Sequence, residues 1–240
     1  MGLQRVIAAI YPPQCISCNA LVASDFGLCP TCWRDTPFIT GLVCCKCGSP
    51  VAGADDGQEV LCDDCIATAR PWSAGRSALL YRDNARQIVL SLKHGDRMEL
   101  ARPAAQWLRQ AAGPLLQAQT VIAPVPLYWW RLLRRKYNQA ALLSAALAKG
   151  AGLAHCPDLL TRHRNTGSQE GRTREDRFAN LQGAFLVPAR RRQGIAGRPV
   201  LIVDDVMTSG ATFSAATAAC LAAGASRVDV LSLARVAKDA

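Results

Sequence analysis

The sequence predicts an α/β protein, a mainly parallel sheet flanked by helices, with a small N-terminal Cys-rich zinc-binding domain ahead of it. Two observations carry this expectation. Four CxxC pairs fall in the first 65 residues of a 240-residue chain. Beyond Cys65 cysteines nearly vanish, and short apolar runs alternate with helical patterns. Alternation of that kind builds βαβ units and a parallel sheet. The expected boundary divides a four-cysteine-type zinc domain, 1–70, from an α/β domain, 71–240.

The eight cysteines are Cys15 and Cys18, Cys29 and Cys32, Cys44 and Cys47, and Cys62 and Cys65. A CxxC turn aims two thiolates at one tetrahedral ion, and two turns complete a closed site, so eight ligands suit two structural zinc ions. Four thiolates leave no position for a reactive water, which excludes zinc catalysis here. Sequential and crossed pairing of the turns both satisfy the spacing. Disulfides are the competing use, and the compartment argues against them. The stretch RVIAAI near the N-terminus is shorter than a secretory apolar region and lacks a small-residue cleavage site, so a cytoplasmic protein is expected. No apolar run approaches the roughly 20 residues that span a bilayer. Cys45, Cys156 and Cys220 read as small core hydrophobes.

The elements follow in order. RSALLYR reads as a strand, NARQIVLSLKHG as an amphipathic helix, and ELARPAAQWLRQAAGPL as a helical segment interrupted near Pro103. TVIAPVP is a short buried strand, AALLSAALAKGAG a helix with a glycine stop, and RPVLIVDDV a strand. TFSAATAACLAAGA is a helix closed by Gly224, and RVDVLSLARV a last strand.

Charge narrows the partners. The chain carries 28 Lys plus Arg against 18 Asp plus Glu, and half of the basic residues lie between Arg131 and Arg198. Such a surplus attracts phosphates, on nucleotides or on nucleic acid, or forms a solvated surface that maintains solubility.

One stretch carries chemistry. In VLIVDDVMTSGAT, Asp204 and Asp205 follow a buried apolar run and precede small hydroxylated residues and glycine. At the carboxyl end of a parallel strand, carboxylates can accept bonds from a sugar diol. Thr208, Ser209, Gly210, Ala211 and Thr212 are expected to form a loop that surrounds a phosphate at a helix N-terminus. The stretch reads as a grip for ribose 5-phosphate.

The same stretch resembles the phosphoribosyl pyrophosphate (PRPP) motif of type I phosphoribosyltransferases, and the four CxxC pairs ahead of it resemble the ComF family of competence-related proteins. YRDNARQIVLSLKHGD, APVP, RRKYNQAALLSAALA, and Gln169, Arg177, Asn180 with GAF at 183–185 extend the resemblance over essentially the whole chain. Lys136 stands where the family usually has glycine, and Arg172 where it usually has an apolar residue. The resemblance implies a type I phosphoribosyltransferase-like sheet and PRPP held with Mg2+. By position, Asp204 and Asp205 would hold the ribose hydroxyls, Thr208 to Thr212 the 5-phosphate, and Lys93, Arg135 and Lys136 the pyrophosphate. It also implies a part in natural transformation, with single-stranded DNA and a competence helicase as partners. The other implied activity is phosphoribosyl transfer to a base or amine.

Trp129 and Trp130 precede RLLRRK. Trp130, Arg134, Arg135 and Lys136 could form a single-strand surface of rings and cations. The plainer reading is a helix start with one indole packed on the core. RHRNTGSQEGRTREDR suits a mobile loop over an anion or a plain surface loop, and the three histidines show no catalytic or metal spacing.

Overall fold

The computed structural model describes residues 11–164 and 173–237, without the side chains of Arg131, Arg134 and Arg174. Gln169 and Arg172 lie outside the described residues. The Cys-rich part holds two short helices, α1 (Pro30–Arg34) and α2 (Asp63–Ala67). Then come β1 (Gly75–Leu80), α3 (Asp83–His94), α4 (Ala101–Ala112), β2 (Val121–Pro124), α5 (Trp129–Arg135) and α6 (Gln139–Ala151). The chain continues with β3 (Ala154–His155), β4 (Thr161–Arg162), α7 (Arg174–Leu181), β5 (Phe185–Leu186) and α8 (Ala189–Ile195). It closes with β6 (Pro199–Met207), α9 (Ala211–Ala222) and β7 (Arg227–Arg235).

Five strands form one parallel sheet in the order β1-β7-β6-β2-β3, and β4 and β5 form a separate antiparallel pair. This is the expected mainly parallel, helix-flanked architecture. Its strands read as continuous apolar runs because both faces are covered. Val200 and Ile202 belong to one apolar cluster, and Leu201 and Val203 to the other.

The helices end where local chemistry stops them. Gly152 takes the left-handed conformation after α6 (φ +67°). Pro103 does not interrupt α4, contrary to expectation. It is the third residue of that helix, where the missing N–H is one the first turn leaves without a partner anyway.

The two halves of the Cys-rich part dock on opposite faces of the sheet. Ile16 joins the cluster beneath α3, α4 and α6, whereas Cys44, Cys47, Cys65 and Trp72 join the cluster beneath α9. Between them, residues 37–39 lie along the outer side of β1. The Ile39 N–H donates to the Ala78 carbonyl and the Leu80 N–H to the Pro37 carbonyl, both at 2.9 Å. At Gly48 (φ +67°) a Cβ would fall 2.6 Å from the Ser77 nitrogen, so backbone meets backbone there.

Candidate functional site

The cysteines resolve into two clusters in sequential pairing: Cys15, Cys18, Cys29 and Cys32, then Cys44, Cys47, Cys62 and Cys65. Within each, all four sulfurs lie within 4.8 Å of one another. Cys18 and Cys29 approach to 3.6 Å, and Cys47 and Cys62 to 3.5 Å. Four sulfurs at ~2.3 Å around one tetrahedral ion would stand about 3.8 Å apart, so both sets fit zinc. The donor chemistry agrees. The Cys47 side chain, aided by backbone N–H groups and against burial, holds the Cys44 thiol down to about 4. Backbone N–H groups of Cys18, Cys29 and Ser17 outweigh burial to bring Cys15 to about 6. Cys32 and Cys65 are raised, chiefly by burial, and Cys47 by its hydrogen bond to Cys44, so one thiol of each set favours the thiolate. Elemental analysis is expected to find two zinc ions per chain. Metal-free protein whose thiols resist alkylation would exclude these sites.

The second site is a cleft of about 830 Å³ at the carboxyl edge of the sheet. Register creates it. β2 ends at Pro124 opposite Val203, so Asp204 and Asp205 of β6 run past their neighbour into the opening. Lys93 at the end of α3 places its ammonium 3.3 Å from Asp205 Oδ2. Asp204 Oδ1 accepts the Asp205 N–H at 2.9 Å. Burial, with the adjacent Asp205 charge, pushes the Asp204 carboxyl up to about 8 against the pull of Lys93 and Arg162.

β6 leads through Thr208–Gly210 into α9, so Ala211 and Thr212 form the first helical turn instead of extending the loop. The correction costs the phosphate reading nothing, since the first N–H groups of a helix have no intrahelical partner. Gly210 adopts φ +82°, and a Cβ there would lie 2.9 Å from Trp72 Cη2. Thr208 and Thr212 line the cleft with both aspartates, Lys93, Arg135 and Lys136.

The Tyr137-Asn138-Gln139 run braces this edge. The Tyr137 hydroxyl donates to the Leu92 carbonyl at 2.8 Å, Asn138 Nδ2 to the Val125 carbonyl at 3.0 Å, and Gln139 Nε2 to the Lys93 carbonyl at 3.3 Å. Asn138 Oδ1 also caps α6 by accepting the Ala140 N–H. Lys136 ends α5 in the left-handed region at φ +67°, which is a physical reason for glycine at that place. In this chain the position trades backbone ease for a cation facing the cleft.

Two cleft cations escaped the sequence reading as ligand residues. Arg162 and Arg177 line the opening, and Arg177 Nη1 donates to Thr208 Oγ1 at 3.2 Å. Arg162 sits on a two-residue strand with no periodicity to reveal it, and Arg177 reads from sequence as part of a connection. With Lys93, Arg135 and Lys136 they set five cations against Asp96, Asp204 and Asp205, so the cleft favours anions.

The indoles differ from the plainer expectation. Trp129 and Trp130 stack on each other with centroids 4.3 Å apart, 51% and 61% exposed, so neither is packed on the core. The Arg134 side chain lies outside what the structure describes.

Comparison with known proteins follows the same outline. The double zinc ribbon domain model matches residues 6–73. DNA utilization protein YhgH of Salmonella typhimurium (strain LT2) is 32% identical over 232 residues, 93% of this chain and 97% of that one. This chain belongs to the ComF family. Another ComF relative, competence protein F of Haemophilus influenzae, is 28% identical over 92% of this chain and 96% of its own. Competence protein ComFC of Bacillus subtilis is 25% identical over 84% of this chain and 80% of its own. The ComF chain thus joins a double zinc ribbon to a parallel sheet flanked by helices. A solved glutamine PRPP amidotransferase from Bacillus subtilis, complexed with ADP and GMP, aligns with 60% of this chain and 30% of its own. That match has 16% identity and a TM-score of 0.36, too loose a likeness to inform the ligand. Among the described residues no helix is long and apolar enough to cross a membrane.

Proposed function

We propose that the cleft holds a phosphoribosyl ligand of the PRPP type and that α5, whose end brings Arg135 and Lys136 to the rim of that cleft, holds single-stranded DNA, so that the protein handles DNA strands during uptake or utilisation. One observation carries the first half. Asp204 and Asp205 project past β2 with Lys93 at 3.3 Å, directly before the Thr208–Gly210 loop and the start of α9. Carboxylates for a diol, then N–H groups and hydroxyls for a phosphate, match a ribose 5-phosphate in order and polarity. Arg135, Lys136 and Lys93 would take the pyrophosphate, and Mg2+ bound with the ligand would offset its remaining charge. These residues bind and orient the ligand.

The second half is supported by the stacked, exposed indoles beside Arg135 and Lys136, and by relatives named for competence and DNA utilization. Bases stack on exposed rings without sequence preference, while cations follow the backbone. A competence helicase is the protein partner this role calls for.

Salt separates the two contributions. Replacing Arg134, Arg135 and Lys136 by Ala should flatten the salt dependence of single-stranded DNA binding by up to about 2 in slope, at ~0.7 per phosphate lost. Trp130→Ala should weaken binding about tenfold with the slope unchanged, because stacking releases no counterions. A triple variant that binds as wild type across the titration sinks the DNA half. Pyrophosphate release, followed with PRPP and candidate bases or amines, reports whether binding proceeds to transfer.

A further inference from the structure

Behind the Thr208–Gly210 loop, on the side away from the cleft, lies the second ribbon. Arg70, in the segment leaving α2, has a side chain only 1% exposed. Its Nη1 donates to the Ser209 carbonyl at 2.7 Å, and its Nη2 to the carboxylate of Asp64, the residue before Cys65. Arg235, at the end of β7, faces the same Asp64 carboxylate at 3.8 Å and reaches Met207 Sδ with Nη1 at 2.8 Å. The two residues flanking Thr208 are therefore held by two buried guanidiniums that converge on one carboxylate of the ribbon. Trp72 completes the floor. Its Nε1 donates to the Lys46 carbonyl, between Cys45 and Cys47, and its ring meets Phe213 of α9 edge-on at 6.1 Å and abuts Gly210.

We infer that the second zinc ribbon is the floor of the phosphate loop, and that Arg70 is a positioning residue fixing Ser209 and Gly210 for a phosphate monoester while tying that site to the Cys44, Cys47, Cys62 and Cys65 cluster. The inference rests on the reading of residues 208–212 as a phosphate grip. Arg70 has no access to the ligand and acts through the loop backbone. A planar fork suits this task, since one guanidinium can donate to a carbonyl and a carboxylate at once. Fixing the loop in advance removes an ordering cost from ligand binding. Coupling between sites is reciprocal, so a bound phosphate holds the ribbon closed as firmly as the ribbon holds the loop.

The test uses the full zinc-loaded chain with Arg70→Ala, Arg70→Lys and Asp64→Asn, and Arg102→Ala as a distant control. Hydrogen exchange should rise about tenfold or more at residues 207–213 in Arg70→Ala, with the amides of 200–203 unchanged and two zinc ions retained. Arg70→Lys and Asp64→Asn should give smaller rises. Affinity for ribose 5-phosphate should fall about tenfold in Arg70→Ala. Ribose 5-phosphate should slow release of one zinc to a chelating dye in wild type and lose that effect in Arg70→Ala. Should Arg70→Ala fail to fold, Arg70→Lys and Asp64→Asn carry the same readouts. Unchanged loop exchange in the folded variants overturns the positioning role, and unprotected zinc overturns the coupling. Loop exchange that responds in a protein that binds neither ribose 5-phosphate nor PRPP upholds the positioning and sinks the ligand reading instead.

Discussion

Changing Asp204 and Asp205 together to Asn is expected to weaken PRPP binding about 100-fold or more at pH 8 and to leave the fold intact. A hydrogen bond to a charged group contributes ~1.5–3 kcal/mol, so two such bonds to a diol are worth roughly 3–6 kcal/mol, and each 1.4 kcal/mol is a factor of ten. The fold should survive because an amide side chain at position 204 keeps an oxygen for the N–H of residue 205, and because the Asp205 carboxylate meets Lys93 at the cleft and not in the apolar clusters. Calorimetry reads the affinity and circular dichroism the fold. Unchanged affinity in a folded double variant would end the ribose assignment.

Affinity for PRPP should also climb with pH, by up to about 15-fold between pH 6.5 and 8, and level off above about pH 9. With its carboxyl pushed up to about 8 by burial and the Asp205 charge, Asp204 carries a proton through that window. A ligand that needs the carboxylate must displace the proton, which gives up to tenfold per pH unit below the shifted value. The window starts above the ~6 second ionisation of a phosphate, so the ligand's own titration is mostly complete. Calorimetry in buffers of differing ionisation enthalpy should show close to one proton released per ligand at pH 7, and none in Asp204→Asn. A flat profile in wild type would remove Asp204 from the binding step. The same shift acts oppositely on the unliganded fold. An unfolded aspartate titrates near ~3.9, so between about 4 and 8 the native state keeps a proton that the unfolded chain has lost. Stability falls as pH rises through that interval, and Asp204→Asn should melt higher than wild type at pH 8.

Much of this was legible because the informative residues are neighbours in sequence. CxxC turns aim both thiolates at one point wherever they occur, and a four-residue buried run such as Val200–Val203 announces a strand covered on both faces. Asp204 to Thr212 is contiguous for the same reason. What escaped was set by tertiary partners. β4 and β5 have two residues each, too few to show a period, and Arg162 was hidden with them. Pro103 looked like a break because its pattern was read without knowing that the helix begins only two residues earlier. The aromatic character of Trp129 and Trp130 suggested that one indole packs on the core, yet both stand in the open. Least visible of all was the hydrogen bond from Arg70 to Ser209, which joins residues 139 apart.

The strip of chain along β1 has a further consequence. In the sheet order β1 is terminal, and residues 37–39 of the Cys-rich part occupy its outward hydrogen-bonding groups. That strip is anchored by the first cluster through Asn84, whose Nδ2 donates to the Cys32 carbonyl and to Thr36 Oγ1. A chain that lost the first zinc would release the strip while the sheet itself stood, leaving an unprotected strand able to template pairing with other chains. Loss of the first zinc alone would then expose the protein to self-association before its cleft had lost shape, making the first ribbon a safeguard of solubility and the second a support for the Thr208–Gly210 loop.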